Sequence, residues 1–356
     1  MKIVKSLPTL VVIILLAIFS EAKPISSILS ETESTPGTLD VFGKGNLSTA
    51  YFNVRTTSPP RPLLVVTPNV SGTYPVVLFL HGTYLLNSFY TDLLQHLSSH
   101  GYIVVAPQLW DLILPSGPEE LEYAVKVANW LPLHLTSVLP KNVEANLEKI
   151  ALAGHSRGGK TAFALALGYS KIASQVKFSA VIGVDPVAGA SKESRTEPKI
   201  LNYVPGSFNL TIPVAVIGTG LGDQPKFWPM PACAPQGVNH VEFFLESRPP
   251  SGHFVTTDYG HMDMLNDHLD GVIGTVAEAL CKNGKGPKDP MRRTIGGIVV
   301  AFLKAYFEAD ADEYATILED PSVAPVTLDA VHQFAGPPNH PQPQVNFNYI
   351  DGSTEL

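Results

Sequence analysis

The pentapeptide Gly154-His155-Ser156-Arg157-Gly158 stands between two runs of opposite character. Ahead of it, Ile150-Ala151-Leu152-Ala153 is short, continuous and apolar, the pattern of a strand buried on both faces. Behind it, Thr161-Ala162-Phe163-Ala164-Leu165-Ala166-Leu167 is dominated by good helix formers. A glycine-flanked serine at such a junction requires a sharp strand-to-helix turn that lifts its hydroxyl above a sheet. Glycine is needed at 154 and 158 because a Cβ there would meet neighbouring backbone.

The same alternation runs along the chain. Apolar runs at 51–54, 62–66, 76–80, 102–106, 149–153, 178–184, 213–218 and 241–246 predict strands, and 253–257 is strand-like. Helices are predicted from Asn87 to His100, where Phe89, Leu93, Leu94 and Leu97 keep helical spacing up to Gly101, and over 118–131, 158–169, 263–281 and 294–309. Strands alternating with helices mean a mostly parallel sheet covered on both faces. With the serine turn, this is the α/β-hydrolase fold class.

No linker interrupts the alternation, so one catalytic domain is expected over 38–335. The chain of 356 residues is 45% hydrophobic and 16% charged, which fits a large globular core and not a disordered or coiled-coil chain. A formal net charge of −8, with no Lys/Arg cluster, argues against a nucleic-acid partner.

The N-terminus reads as a signal peptide over 1–22: Lys2 and Lys5, an apolar run over 10–19, then Ser20-Glu21-Ala22. That run is shorter than the roughly 20 residues that span a bilayer. The first 22 residues contain no Arg, unlike a plastid transit peptide. Residues 23–37, rich in Ser, Thr, Glu and Pro, read as an unstructured leader, and 336–356 as a proline-rich extended tail. Sequons at Asn46, Asn69 and Asn209 agree with a secretory route. Cys233 and Cys281 are the only cysteines; one disulfide is permitted, and two separate buried thiols are the alternative.

Ser156 is the expected nucleophile. One rival is a P-loop, whose spacing Gly154, Gly159, Lys160 and Thr161 satisfy, with Asp185 as Mg²⁺ partner. A P-loop follows the first strand of its domain, whereas this turn follows at least two buried strands. The tetrahedral intermediate of acyl transfer needs two amides. One is Arg157, directly after the serine; the other is expected at Thr83 or Tyr84, in the loop that follows Val76–Leu80 and opens with His81-Gly82. His81 itself is expected to brace that loop.

Chain order in this fold is Ser, acid, His. His261, in Asp258-Tyr-Gly-His-Met-Asp263, lies in a turn between a strand-like run and a helix, which suits the base. His253 is the runner-up but has a strand-interior setting. His268 falls inside the predicted helix, and His332 and His340 fall near the tail. Asp263 reads as that helix's N-cap. The acid is open between Asp185, at a strand end before Pro186, and Asp223, after the Gly218–Gly222 segment.

Several of these segments together resemble the plant chlorophyllases: Gly154-His-Ser-Arg-Gly-Gly159, Val184-Asp-Pro-Val-Ala-Gly189, Asp258-Tyr-Gly-His-Met-Asp-Met264, Phe79-Leu-His-Gly82 and Ile217-Gly-Thr-Gly-Leu-Gly222. The likeness runs over about residues 38–310. It implies hydrolysis of the ester joining phytol to chlorophyll, no metal or organic cofactor, and Asp185 as the acid. Some members of that family carry plastid-like leaders, which makes the chloroplast the alternative compartment. An apolar ester substrate is compatible with peripheral membrane contact, and Phe89, Trp110, Phe227, Trp228 and Met262 are the aromatic and thioether candidates for its pocket. The alternatives are a lipid or general carboxylesterase with the same triad, or a non-enzymatic ligand-binding protein on a hydrolase scaffold.

Overall fold

A computed structural model describes residues 39–54, 57–110, 113–329 and 332–333. The proposed signal peptide, leader and proline-rich tail lie outside the described residues, as does His340. The strands are β1 (Thr49–Val54), β2 (Leu63–Pro68), β3 (Gly72–Leu80), β4 (Ile103–Pro107), β5 (Val143–His155), β6 (Ala180–Val184), β7 (Val214–Thr219), β8 (Ser251–Thr256) and β9 (His332–Gln333). They form one nine-stranded sheet in the order β1-β2-β4-β3-β5-β6-β7-β8-β9. From β4 through β8 neighbouring strands run parallel, whereas β2 is antiparallel to both β1 and β4 and β9 is antiparallel to β8. This is the α/β-hydrolase topology.

The central strands are apolar on both faces because both faces are covered. On one side α1 (Thr91–Ser99) and α6 (Lys288–Leu303) pack on Val77, Phe79, Ala151 and Ile182. On the other, α2 (Gly117–Val138), α3 (Arg157–Ala166) and α4 (His240–Glu246) pack on Val76, Leu78, Leu152 and Val181. Phe163 of α3 meets Phe208 and Phe243 in an aromatic trio with centroids 5.0 to 6.3 Å apart. Helix α2 opens with a capping box between Ser116 and Glu119. Two further helices, α5 (Gly271–Leu280) and α7 (Asp312–Glu319), lie near the C-terminal end.

Several expectations are corrected. The run 241–246 is helix α4, not a strand: Asn239 caps it by accepting from the Val241 amide, and the strand at this point is β8. Short apolar runs do not distinguish the two states by period alone. The helix expected over 263–281 begins only at Gly271, with Asp270 at its N-cap position. Asp263 is therefore not an N-cap, and His268 lies exposed in the preceding turn. Helix α7 was not anticipated, and His332, expected near the tail, pairs its backbone with His253 in β9.

Cys233 and Cys281 form a disulfide that joins the loop after β7 to the end of α5. Among the described residues no helix is long and apolar enough to cross a membrane.

Candidate active site

Strand β5 ends at His155 and α3 begins at Arg157, leaving Ser156 alone in the turn with φ 56° and ψ −126°. A non-glycine residue in this region stores on the order of 1–3 kcal/mol of strain, held by the structure around it. The restraints are visible: the Ser156 amide donates to Val184 O at 3.1 Å, and Ser156 O accepts from Val187 N at 3.0 Å. A Cβ on Gly158 would run into the carbonyls of Leu80 and His81, and one on Gly154 into the backbone of Gly158 and Gly159. The glycines are required for the reason the sequence suggested.

Register then sets the neighbours. β5 pairs with β6 so that His155 lies opposite Val184, which brings the next residues, Ser156 and Asp185, side by side at the carboxyl ends of adjacent strands. His261 follows β8, in a turn closed by the Asp263 amide donating to Gly260 O at 3.1 Å. Its Nε2 lies 2.8 Å from Ser156 Oγ, and its Nδ1 lies 2.7 Å from Asp185 Oδ2. All three side chains are buried. The structure thus brings Ser156, His261 and Asp185 into one hydrogen-bonded line. Asp223, the other acid considered, instead accepts from Gln236 Nε2 at 2.8 Å.

Asp185 is wholly buried, which pushes its carboxyl pKa up. The hydrogen bond and charge of His261, with His240 and the Thr219 hydroxyl, outweigh burial and hold it below the usual carboxylate range. Thr219 donates to the same Oδ2 at 2.6 Å. It lies at the end of β7, and Gly222 is packed so tightly against it that a Cβ would strike the Thr219 hydroxyl. His240 and His253, the alternative base, pair with each other at 2.9 Å. Asp263 Oδ2 accepts from the amides of Gly260 and Gly284, fixing the His261 turn from below.

The loop after β3 faces Ser156. A Cβ at Gly82 would lie 3.1 Å from Ser156 Cβ, so the loop passes directly over the serine turn. His81 braces it, as expected: its ring bonds Gly82 O at 2.9 Å and accepts from the Leu109 amide at 3.0 Å. Burial lowers the His81 pKa to about 4, keeping the ring neutral. The Gly82 amide donates to Tyr90 Oη, so that donor is already engaged and the Thr83 and Tyr84 amides come next in the loop. Tyr84 has φ 55°. Arg157 opens α3, where the first amides of a helix have no intrahelical acceptor.

The Arg157 side chain has a different task. It pairs with the buried Glu120 of α2, donates to Pro115 O at 2.8 Å, and lies over the Trp110 ring at 5.8 Å. Glu120 also accepts from Thr161 Oγ1 at 3.0 Å. Lys160, with Nζ 2.9 Å from Glu197 O, is buried. The lysine and threonine of the P-loop spacing are thus engaged away from the serine hydroxyl. Among the described residues no group of His, Cys, Asp and Glu is arranged to hold a metal ion.

Of the five apolar pocket candidates, Phe89 and Met262 are core residues, while Trp110 is buried against His81 and Tyr84. Phe227 and Trp228 are exposed, Trp228 by 91%. Sequence reasoning missed Thr219, Tyr90, Glu120 and the role of His155. Only His155 carried a signal, as the second residue of the serine pentapeptide.

The fold and this constellation define an enzyme of the α/β-hydrolase class. The chlorophyllase family model matches residues 37–335. Chlorophyllase-1 of Arabidopsis thaliana is 51% identical over 308 residues, covering 84% of this chain and 94% of the relative. "Chlorophyllase-1, chloroplastic" of Citrus unshiu is 48% identical, covering 89% and 95%. Chlorophyllase-2 of Arabidopsis thaliana is 50% identical over 73% of this chain and 82% of its own length. The chain belongs to the chlorophyllase family.

Proposed function

We propose that this chain hydrolyses the phytyl ester of chlorophyll, releasing chlorophyllide and phytol, through a Ser156 acyl-enzyme. The observation that carries the reading is the Ser156–His261–Asp185 hydrogen-bond line in a chain of this family. His261 Nε2 takes the hydroxyl proton as Ser156 Oγ attacks the ester carbonyl, and Asp185 orients the imidazole and offsets its charge. The Arg157 amide and that of Thr83 or Tyr84 stabilise the oxyanion. The proton passes from His261 to the departing phytol oxygen, and water activated by the same base then frees the chlorophyllide carboxylate.

The test is turnover of detergent-dispersed chlorophyll by the purified protein, beside a short p-nitrophenyl ester. Ser156→Ala is expected to abolish both reactions while leaving the fold intact. Chlorophyllide formed at an undiminished rate by that variant would overturn the nucleophile. Cleavage of the short ester alone by the parent protein would keep the mechanism and favour a general carboxylesterase.

For the compartment, the names of the Citrus relatives favour the plastid over the secretory route. The sequons Asn46, Asn69 and Asn209 are all exposed, so glycosylation would be sterically open if the chain entered that route. Residues 1–37 fused to a fluorescent protein will report plastid or endoplasmic-reticulum targeting. The exposed Ile113, Phe227 and Trp228 are compatible with peripheral membrane contact during encounter with an apolar substrate.

A further inference from the structure

The serine pentapeptide itself contains a histidine, His155, distinct from His261. His155, wholly buried, points away from solvent and touches both halves of the machinery proposed above. Its Nε2 lies 2.9 Å from the carbonyl oxygen of His261, and its ring is tilted at 41° to the His261 ring with centroids 4.5 Å apart. Its Nδ1 lies 2.8 Å from Tyr90 Oη, which in turn accepts from the Gly82 amide at 3.0 Å. Tyr90 is equally buried, edge-on to Phe79 of β3 at 5.0 Å.

The ends of this line fix its polarity. An amide can only donate and a carbonyl can only accept, so Gly82 N–H gives to Tyr90 Oη and His155 Nε2–H gives to His261 O. The remaining proton, that of the tyrosine hydroxyl, then goes to a bare His155 Nδ1. Every member is satisfied by one neutral tautomer. Burial, with the nearby His261, holds the His155 pKa well below its ordinary value, in keeping with a neutral ring.

We infer that Tyr90 and His155 are positioning residues that couple the oxyanion loop to the turn carrying the base, setting the distance between them. The inference rests on the functional reading given above. A second fastening supports it: the Asn266 amide donates to Phe89 O at 2.8 Å, and the Asn266 side chain bonds Ser88 O and the Asp92 amide. The segment that carries Tyr90 is therefore tied to the His261 turn by its backbone as well. The loop packs closely on this ring: a Cβ at Gly82 would stand 3.0 Å from His155 Nδ1, tighter than ordinary van der Waals contact. Displacement of catalytic groups by about 1 Å costs on the order of a hundredfold in rate, so a rigid strut between them has a kinetic purpose.

Tyr90→Phe keeps the ring and removes the central link. It is expected to lower kcat on the p-nitrophenyl ester about tenfold, with KM within about twofold, and to slow fluorophosphonate labelling of Ser156 in parallel. His155→Leu is expected to do the same. The double variant should lose no more than either single one, because both break one line. His155→Gln, which keeps a donor and an acceptor, should recover part of the rate. Additive losses, a KM effect with unchanged kcat, or full activity in Tyr90→Phe would each overturn the inference. If Tyr90→Phe melts below the assay temperature, the comparison of His155→Gln with His155→Leu decides. A parent protein that neither labels nor turns over would instead sink the functional reading itself.

Discussion

Thr219 is the residue whose contribution is most cleanly isolated, because one hydroxyl makes one bond to the proposed acid. Thr219→Val keeps the shape and removes that donor. A hydrogen bond to a charged group contributes about 1.5–3 kcal/mol, so kcat is expected to fall about tenfold or more with KM nearly unchanged. Steady-state kinetics on the short ester will check it; an unaltered kcat would reduce Thr219 to packing. Gly158→Ala belongs at this scale too. Its new methyl group would run into two backbone carbonyls that cannot move aside, and little folded protein is expected on expression. Ser156 and His261, which the fold brings within 2.8 Å of each other, could be singled out from the sequence because each sits in a short motif whose local context implies a turn. Asp185 was not separable from Asp223 by its own neighbours, since both follow strands. What distinguishes them is register, β6 lying against β5, which only the folded sheet expresses.

At the scale of elements, α2 and α3 are joined by the buried pair Glu120 and Arg157, with Thr161 as a third member. Burial raises the Glu120 pKa, opposed by the Arg157 charge and hydrogen bonds. Removing one partner of a buried pair costs about 3–5 kcal/mol because the other charge is left behind. Glu120→Ala should therefore lower the urea midpoint by a corresponding amount, whereas loss of a surface pair such as Arg293–Asp289 should leave it nearly unchanged. A Glu120→Ala midpoint equal to that of the parent would contradict this assignment. The strands of the central sheet were readable because burial on both faces leaves an uninterrupted apolar run. β5 extends further back than its apolar core, to Val143, because its outer half is polar and partly exposed and so carries no such signature. α4 was misread because two adjacent phenylalanines, Phe243 and Phe244, satisfy a buried strand and a short buried helix equally well.

At the scale of the molecule, the interior holds several neutral imidazoles. Burial lowers the pKa of both His81 and His96 to about 4 and depresses those of His155 and His240. The unfolded chain takes up these protons near pH 6.5 and the folded one only near 4, so acid favours unfolding across that interval. Stability is full above pH 6.5 and declines as pH falls toward 4, by roughly 3 kcal/mol for each of His81 and His96. Melting midpoints measured from pH 7.5 to 4 should fall throughout the lower half of that range; a flat profile would contradict the burial of these rings. The disulfide acts on the opposite side of the equilibrium. Closing a separation of 48 residues restrains the unfolded chain by about 4 kcal/mol, and thiol reduction should lower the midpoint accordingly.

That closure also has a topological result. Residues 233–281 form a covalent ring, and the ring contains β8 and His261, while Ser156 and Asp185 lie outside it on the N-terminal side. A protease that cuts once in the exposed turn at Arg248–Pro249 would divide the peptide chain between Ser156 and His261 without releasing either piece. Such a nicked protein would migrate as one molecule until a reductant separated it into two.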